Sequence, residues 1–245
     1  MTPRIRYTAF TTLLMAASPA SAMQTIPIVQ CPGDDGGPPS NDGNSTQENT
    51  SVNLDGTTAS LLAFYAAPYG PNLSADGPGL IAPRGWQCFW EASADGNYSI
   101  AAAPTEKDLA AYKNYSVPGI VSAGISYNFW DGGTAGRDEV IPLSRYFSSQ
   151  AQNGGTKSVL PDIISYNSSN TLQFETPAGK DGLGTKPLDW EIRKSNMPIY
   201  GVLHVDMIGD TDAALFKVKL PDSQSNLRRA ILDNYEAYVK KASAP

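Results

Sequence analysis

Histidine and cysteine are almost missing from this chain, which has one His and two Cys in 245 residues. Two Cys and one His cannot build a four-ligand structural zinc site without carboxylates, and the CxxC spacing of zinc and redox pairs does not occur. HExxH, GxSxG and SxxK do not occur either, so the common hydrolase signatures are excluded. Charged residues are scarce at 17%, and they lean acidic, with 24 Asp and Glu against 18 Lys and Arg. The Lys and Arg form no basic stripe. Binding to nucleic acid and attraction to anionic membranes are therefore disfavoured, since both need clustered cations. No run after the N-terminus has the length to span a bilayer. No internal repeat is found. No metal site and no cofactor are expected.

What is present begins with MTPRIRYTAFTTLLMAASPASA. Arg4 and Arg6 form a positive start, Thr8 to Ala17 a short apolar core, and Ala20-Ser21-Ala22 a small-x-small cleavage signal. This reads as a secretory signal peptide over residues 1–22. No Cys follows at once, so a lipid anchor is not expected. The mature protein is expected in the periplasm or secreted. Export places Cys31 and Cys88 in an oxidising compartment, where the simplest reading is a single disulfide.

Hydrophobic residues make up 41% of the chain, beside 22 Gly and 19 Pro. That balance suits a strand-rich exported domain with ordered loops. Residues 23–56 are expected to be an irregular arm tethered by the disulfide, because CPGDDGGPPSNDGNSTQENTSV has too little apolar surface to offset its ordering entropy. Asp34 and Asp35 there lack the spacing of a calcium loop. If the disulfide only tethers an arm, its loss costs a few degrees of melting temperature.

Residues 57–245 read as one domain. Thr57 or Thr58 is expected to cap a helix running to Ala67, with Leu61, Leu62 and Tyr65 on one face and Pro68 as its stop. Trp86, Phe89 and Trp90 read as core anchors around Cys88. Asp95-Gly96 is a hairpin turn signal. Ile120–Phe129 reads as a strand, and DEVIPLSRYFSSQ as helical, with Val140, Leu143 and Phe147 on one face. Thr171–Glu175 and Ile199–Met207 read as strands, the second with Ile199, Leu203 and Val205 on one face and Tyr200, Val202, His204 and Asp206 on the other. Ala213–Leu220 is its partner strand. A final helix starts near Pro221 and carries Leu227, Ile231, Tyr235 and Tyr238 as its stripe. The order predicts an α+β fold with a largely antiparallel sheet and a few helices, one of them C-terminal.

The blocks CPGDDG, LLAFYAAPYGPN, GLIAPRGWQCF, DGGTAGRDEV, FETPAGKDGLGT and PIYGVLHVDM together resemble an uncharacterised family of exported bacterial proteins. The likeness covers most of the mature chain, and PRGWxC and ETPAGxxGLGT are its specific blocks. It implies export from bacteria and no known activity. In that setting the six Asn-x-Ser/Thr sequons, beginning at Asn44, Asn49, Asn72, Asn97, Asn114 and Asn167, are compositional.

Four stretches carry candidate chemistry. His204 and Asp206 share a strand face and are the candidates for general base work, although an i, i+2 pair stands about 7 Å apart. DGGTAGRDEV offers backbone N–H groups around Gly133 and Thr134, with Arg137 as a charge, for an anion; the plainer reading is a tight turn with a helix cap. FETPAGKDGLGT brings Glu175, Lys180 and Asp181 into one loop, whose glycines also suit a plain connection. Arg84 beside Trp86 reads as structural. The leading expectation is a non-enzymatic exported domain that binds an envelope protein or a small ligand. The rival is a secreted hydrolase of unfamiliar type using His204, Asp206 and a serine brought near by folding.

Overall fold

The computed structural model describes residues 22–34, 49–67, 79–93, 96–113, 123–130, 140, 143–147, 162–185, 195–206 and 212–242. The strands are β1 (Ala22–Gln30), β2 (Gly33–Asp34), β3 (Asn49–Leu54), β4 (Leu62–Ala66), β5 (Gly79–Pro83) and β6 (Gln87–Ala92), followed by β7 (Tyr98–Ala103), β8 (Gly124–Trp130), β9 (Ile163–Tyr166), β10 (Thr171–Thr176), β11 (Ile199–Asp206) and β12 (Asp212–Lys219). Among the described residues the helices with defined bounds are α1 (Gly56–Ser60), α2 (Glu106–Lys113) and α3 (Ser225–Ala242), and residues 140 and 143–144 are also helical. The fold is α+β, as the sequence predicts.

Two sheets form. The smaller has the order β3-β1-β4-β5, and the larger β2-β6-β7-β8-β12-β11-β10-β9. All pairings are antiparallel except β1 with β4 and β2 with β6. The main core lies between one face of the large sheet and the small sheet. Ile100, Ile125, Tyr127, Val202, Phe216 and Val218 meet Ile26, Leu62, Phe64, Tyr65, Leu80 and Ile81 there. α3 closes this core with Leu227, Ile231 and Tyr235, three of the four residues of the expected stripe, the Tyr238 side chain lying outside those described, and Tyr235 stacks on Phe216 at 3.8 Å between centroids.

The opposite face of the large sheet carries two separate apolar clusters. One joins Leu172, Phe174, Leu203, Val205 and Leu215 to Val140, Leu143 and Phe147. In the other, Leu109 of α2 sits on Ala101, Ala103 and Phe89. Alternation along β8, β11 and β12 sends large side chains to both faces, so these strands lie between layers.

Two expectations need correction. Residues 23–56 are not an irregular arm at their ends: β1 is a nine-residue strand and β3 pairs with it from Ala22↔Leu54 to Pro27↔Asn49. The middle of that segment, 35–48, lies outside the described residues. The low apolar content of 31–52 hid β2, whose partner β6 lies outside the segment, and β3, whose partner is β1 at the segment's start. The helix expected from Thr57 to Ala67 is also corrected. α1 ends at Ser60, and its cap is Asp55, which accepts hydrogen bonds from Thr58 N at 2.9 Å and Thr58 Oγ1 at 2.6 Å. Leu62–Ala66 is β4, buried at every position between β1 and β5. A run buried on both faces has no period to tell helix from strand.

The Pro-Arg-Gly turn is where the chain passes from the small sheet to the large one. Gly85 takes φ +79°, a left-handed conformation that favours glycine. Tyr65 holds the turn from beneath: its hydroxyl donates to Pro83 O at 2.7 Å and accepts from Trp86 N at 3.0 Å. Arg84 donates from Nε to Leu62 O at 2.8 Å, a structural role. Cys88, on β6, is joined to Cys31, just past β1, so the disulfide links the two sheets.

Candidate functional site

The expected histidine site lies on the face of β11 that carries Val202 into the main core. His204 pairs across the sheet with Thr171, and Thr171 Oγ1 lies 2.8 Å from His204 Nδ1. Burial holds His204 below the ordinary histidine value, while Asp206 pulls it back up. Thr171 is only 2% exposed, so the hydroxyl within reach of the ring is sealed between strands. Gly133, Thr134 and Arg137 lie outside the described residues.

The loop Thr176–Thr185 is folded on itself around a carboxylate that sequence reading passed over. Asp162 is 5% exposed. It accepts from Thr176 Oγ1, from Leu183 N at 3.0 Å and, at a longer 3.5 Å, from Tyr146 Oη. Gly184 N donates to Thr176 Oγ1, and Thr185 Oγ1 donates to Asp181 Oδ1. A Cβ at Gly182 would strike the Asp162 carboxylate at 2.1 Å, which explains that glycine. Asp162, Thr176 and Asp181 bond to side chains and backbone N–H groups of the loop and its neighbours, so the loop reads as a structural lock. Tyr146 is pushed above its usual range, by burial first and by Asp162 second.

A different constellation stands on the other face of the large sheet, between the two smaller apolar clusters. The register places Phe89, Ala101, Ser126, Lys217, Gly201 and Phe174 in one row across six strands. The neighbouring row holds Glu91, Ser99, Asn128 and Leu215. Lys219 lies two residues along β12 from Lys217, opposite Gly124. The two central strands β7 and β8 thus offer only small floors here: Ser99 and Ala101 on one, Gly124, Ser126 and Asn128 on the other. Gly201 is small for a separate reason. The Phe174 ring folds across it, and a Cβ there would meet that ring at 2.4 Å and Phe216 O at 2.2 Å.

The polar atoms of this floor are the anomaly. Ser126 is 4% exposed and Asn128 7%, yet Ser126 Oγ and Asn128 Oδ1 find no hydrogen-bond partner among the described residues. Buried polar atoms are almost always paired, because an unpaired one costs about 1–3 kcal/mol. Two such atoms stand on neighbouring positions of one strand face, beside two lysines, and no described residue pairs with them.

The lysines are themselves perturbed. Burial brings Lys217 down to about 8. Burial brings Lys219 to about 8 as well, against an upward pull from Asp108 of α2. Both values lie below the unfolded lysine value of about 10.4. At pH below about 8 the lysines are charged in both states, and the folded protein bears the full cost of desolvating them. Between about 8 and 10 the folded protein sheds these protons while the unfolded chain keeps them, so stability rises with pH. Above about 10 the buried tyrosines, whose pKa values are raised, reverse the trend. Urea midpoints at pH 7, 8, 9 and 9.5 are expected to climb across this window, and to climb about half as steeply in Lys217→Met. A flat wild-type series would contradict the burial of these charges.

Sequence reading missed Ser126, Asn128, Lys217 and Lys219. The signal was present in GISYNFW and ALFKVKL, where polar and apolar residues alternate. Such alternation ordinarily marks a solvent face, and here the polar side is buried.

Among the described residues, no group of three His, Cys, Asp or Glu is placed to hold a metal ion, and no helix is long and apolar enough to cross a membrane. No protein-family profile, curated protein or solved structure matches the chain.

Proposed function

We propose that the protein is an exported bacterial domain of the periplasm or cell envelope that binds a small ligand or a partner without catalysing a reaction, and that the floor of β7 and β8 is where it binds. One observation carries the reading: Ser126 Oγ and Asn128 Oδ1 are buried, without hydrogen-bond partners among the described residues, on a floor of small residues. The export-type N-terminus, the disulfide and the resemblance to exported bacterial proteins support the location.

The test is to isolate the protein natively, denature it, and weigh what is released, for wild type and for Ser126→Ala with Asn128→Leu. A molecule or partner retained by wild type and lost from the double variant is the expected result. If wild type retains nothing, and the double variant is only more stable, the two polar atoms are a packing defect and the reading fails.

A second reading, a secreted hydrolase using His204 and Asp206, is favoured by one contact, the Thr171 hydroxyl at His204 Nδ1. It requires a saturable hydrolytic activity that disappears in His204→Ala. An activity that survives this exchange removes His204 from the mechanism.

A further inference from the structure

We propose that the folded chain joins Lys217 to Asn128 by an amide bond between their side chains, with Glu91 as the acid that carries the proton. The reaction happens once within each chain. It does not depend on the floor's being a binding site, since it leaves the Ser126 hydroxyl and the Asn128 Oδ1 in place.

The sheet register brings the three residues to one face. Asn128 of β8 lies opposite Leu215 of β12, and Lys217 is two residues further along β12. Such diagonal neighbours stand about 7–8 Å apart, less at Cβ, and the four-carbon stem of a lysine spans that gap. Glu91 and Asn128 both pair with Ser99 and flank it from either side. They are two strand steps apart, about 10 Å. The Glu91 carboxylate is turned inward along this row, because it accepts from Ser99 Oγ at 3.1 Å.

The surroundings favour the reaction. Asn128 is buried, and Trp130 and Leu215 beside it on this face belong to an apolar cluster. Its Oδ1 has no hydrogen-bond partner among the described residues. Negative charge gathers on this oxygen when a nucleophile attacks Cγ, and a carboxyl group that donates to it stabilises that charge. A lysine desolvated by burial is an activated nucleophile. Burial brings Lys217 to about 8, which leaves about a tenth of it neutral at pH 7. Lys219 is the poorer amine here. It stands a further two residues from Asn128 along β12, and Asp108 of α2 favours its charged form. Asp108 itself accepts from Thr105 Oγ1 at 2.6 Å.

The atoms balance without an oxidant or a second substrate. Glu91 takes one proton from the Lys217 ammonium. The Nζ lone pair then attacks Asn128 Cγ, and the Glu91 carboxyl group donates to Oδ1. As the tetrahedral centre collapses, the Cγ–Nδ2 bond breaks, a second proton passes from Nζ to Nδ2, and ammonia leaves. The proton held by Glu91 departs with it as ammonium, which restores the carboxylate.

The test is the intact mass of the mature protein, freshly refolded and again after several days folded at pH 7. A loss of about 17 Da, the mass of ammonia, is expected to grow with time. A branched tryptic peptide is expected to link the stretches around Asn128 and Lys217. The titration of Lys217 set out above is that of the freshly refolded chain. In the joined chain the nitrogen carries no charge, so the urea midpoints of wild type and Lys217→Met climb equally with pH. The joined chain is also expected to melt about 10 °C above Lys217→Met, since the bond closes a long loop as a disulfide does. Lys217→Met and Asn128→Leu are expected to keep the full sequence mass, and Lys219→Met to show the loss. Asn128→Asp is expected to form the same bond with loss of water, about 18 Da, which separates lost chemistry from lost folding. Glu91→Gln is expected to slow the reaction at least about tenfold. Ligand retention by Lys217→Met is read separately and bears only on the binding site. A wild-type chain that keeps its full mass on standing, or that loses ammonia at another position, would overturn the proposal. A Glu91→Gln chain that reacts at the wild-type rate would overturn the role of Glu91.

Discussion

Exchange of Cys31 for serine is expected to lower the melting temperature by about 10 °C. The disulfide closes a loop with a sequence separation of 57, and the chain-entropy relation gives about 4 kcal/mol for such a loop. In a chain of this size each kcal/mol moves the midpoint by about 2–4 °C. As a tether on a loose arm, the bond would deliver little of this. The structure places it otherwise. Cys31 follows β1 directly and its N–H donates to Ala66 O at 2.9 Å, while Cys88 lies within β6. β1 pairs with both β3 and β4, so the bond fastens the small sheet to the large one next to the main core. Thermal unfolding of Cys31→Ser, and of wild type unfolded under reductant, measures the effect. A fall of less than about 2 °C in both would mean that packing alone holds the two sheets together. Both sulfurs belong to buried residues, so reduction of the native protein is expected to be slow and to follow unfolding.

Asp162→Ala is expected to have an effect of similar size, about 4 kcal/mol, for a different reason. The change leaves the Leu183 N–H and the Thr176 hydroxyl buried without their acceptor, and each such loss costs about 1–3 kcal/mol. Thr176 also accepts from Gly184 N, so the defect spreads through the 3-10 turn Leu183–Thr185. Leu183 is fully buried in the apolar cluster of Leu172, Leu203 and Leu215, and loosening the turn loosens that cluster. Asp162→Asn keeps one acceptor oxygen and is expected to lose about half as much. Urea unfolding of the two variants decides between this account and a carboxylate that merely fills space. In the latter case Asn would match wild type and Ala would lose only about 1 kcal/mol.

Much of the architecture was legible because it rests on local signals. The strand over TLQFE, the strand ending in Asp206, its partner ALFKVKL and the closing helix with Leu227, Ile231 and Tyr235 all follow from period and turn residues. The hairpin between β6 and β7 follows from Asp95-Gly96, and Gly96 takes φ +86°. Where periodicity was silent, reading failed. LAFYA is apolar at each position, and no pattern distinguishes a helix from a strand buried on both sides. β1 and β3 flank a Gly- and Asn-rich stretch whose composition outweighed their own weaker pattern.

The candidate site divides the same way. Composition and spacing determined by themselves that the chain starts with a basic and then apolar stretch, and has one pair of cysteines, one histidine and no familiar catalytic signature, since each of these is a property of residue identity. They also determined which residues of β8 and β12 share a face, since alternation is built into the pleat. Only the tertiary structure decided that this polar face is buried. Burial depends on what other layers cover a strand, and those layers come from residues distant in sequence. The same holds for Asp162, which is an ordinary loop acid until the 183–185 turn brings backbone donors to it. It holds for Cys31 and Cys88 too: their identity predicted the bond, and the stacking of two sheets decided what the bond holds together.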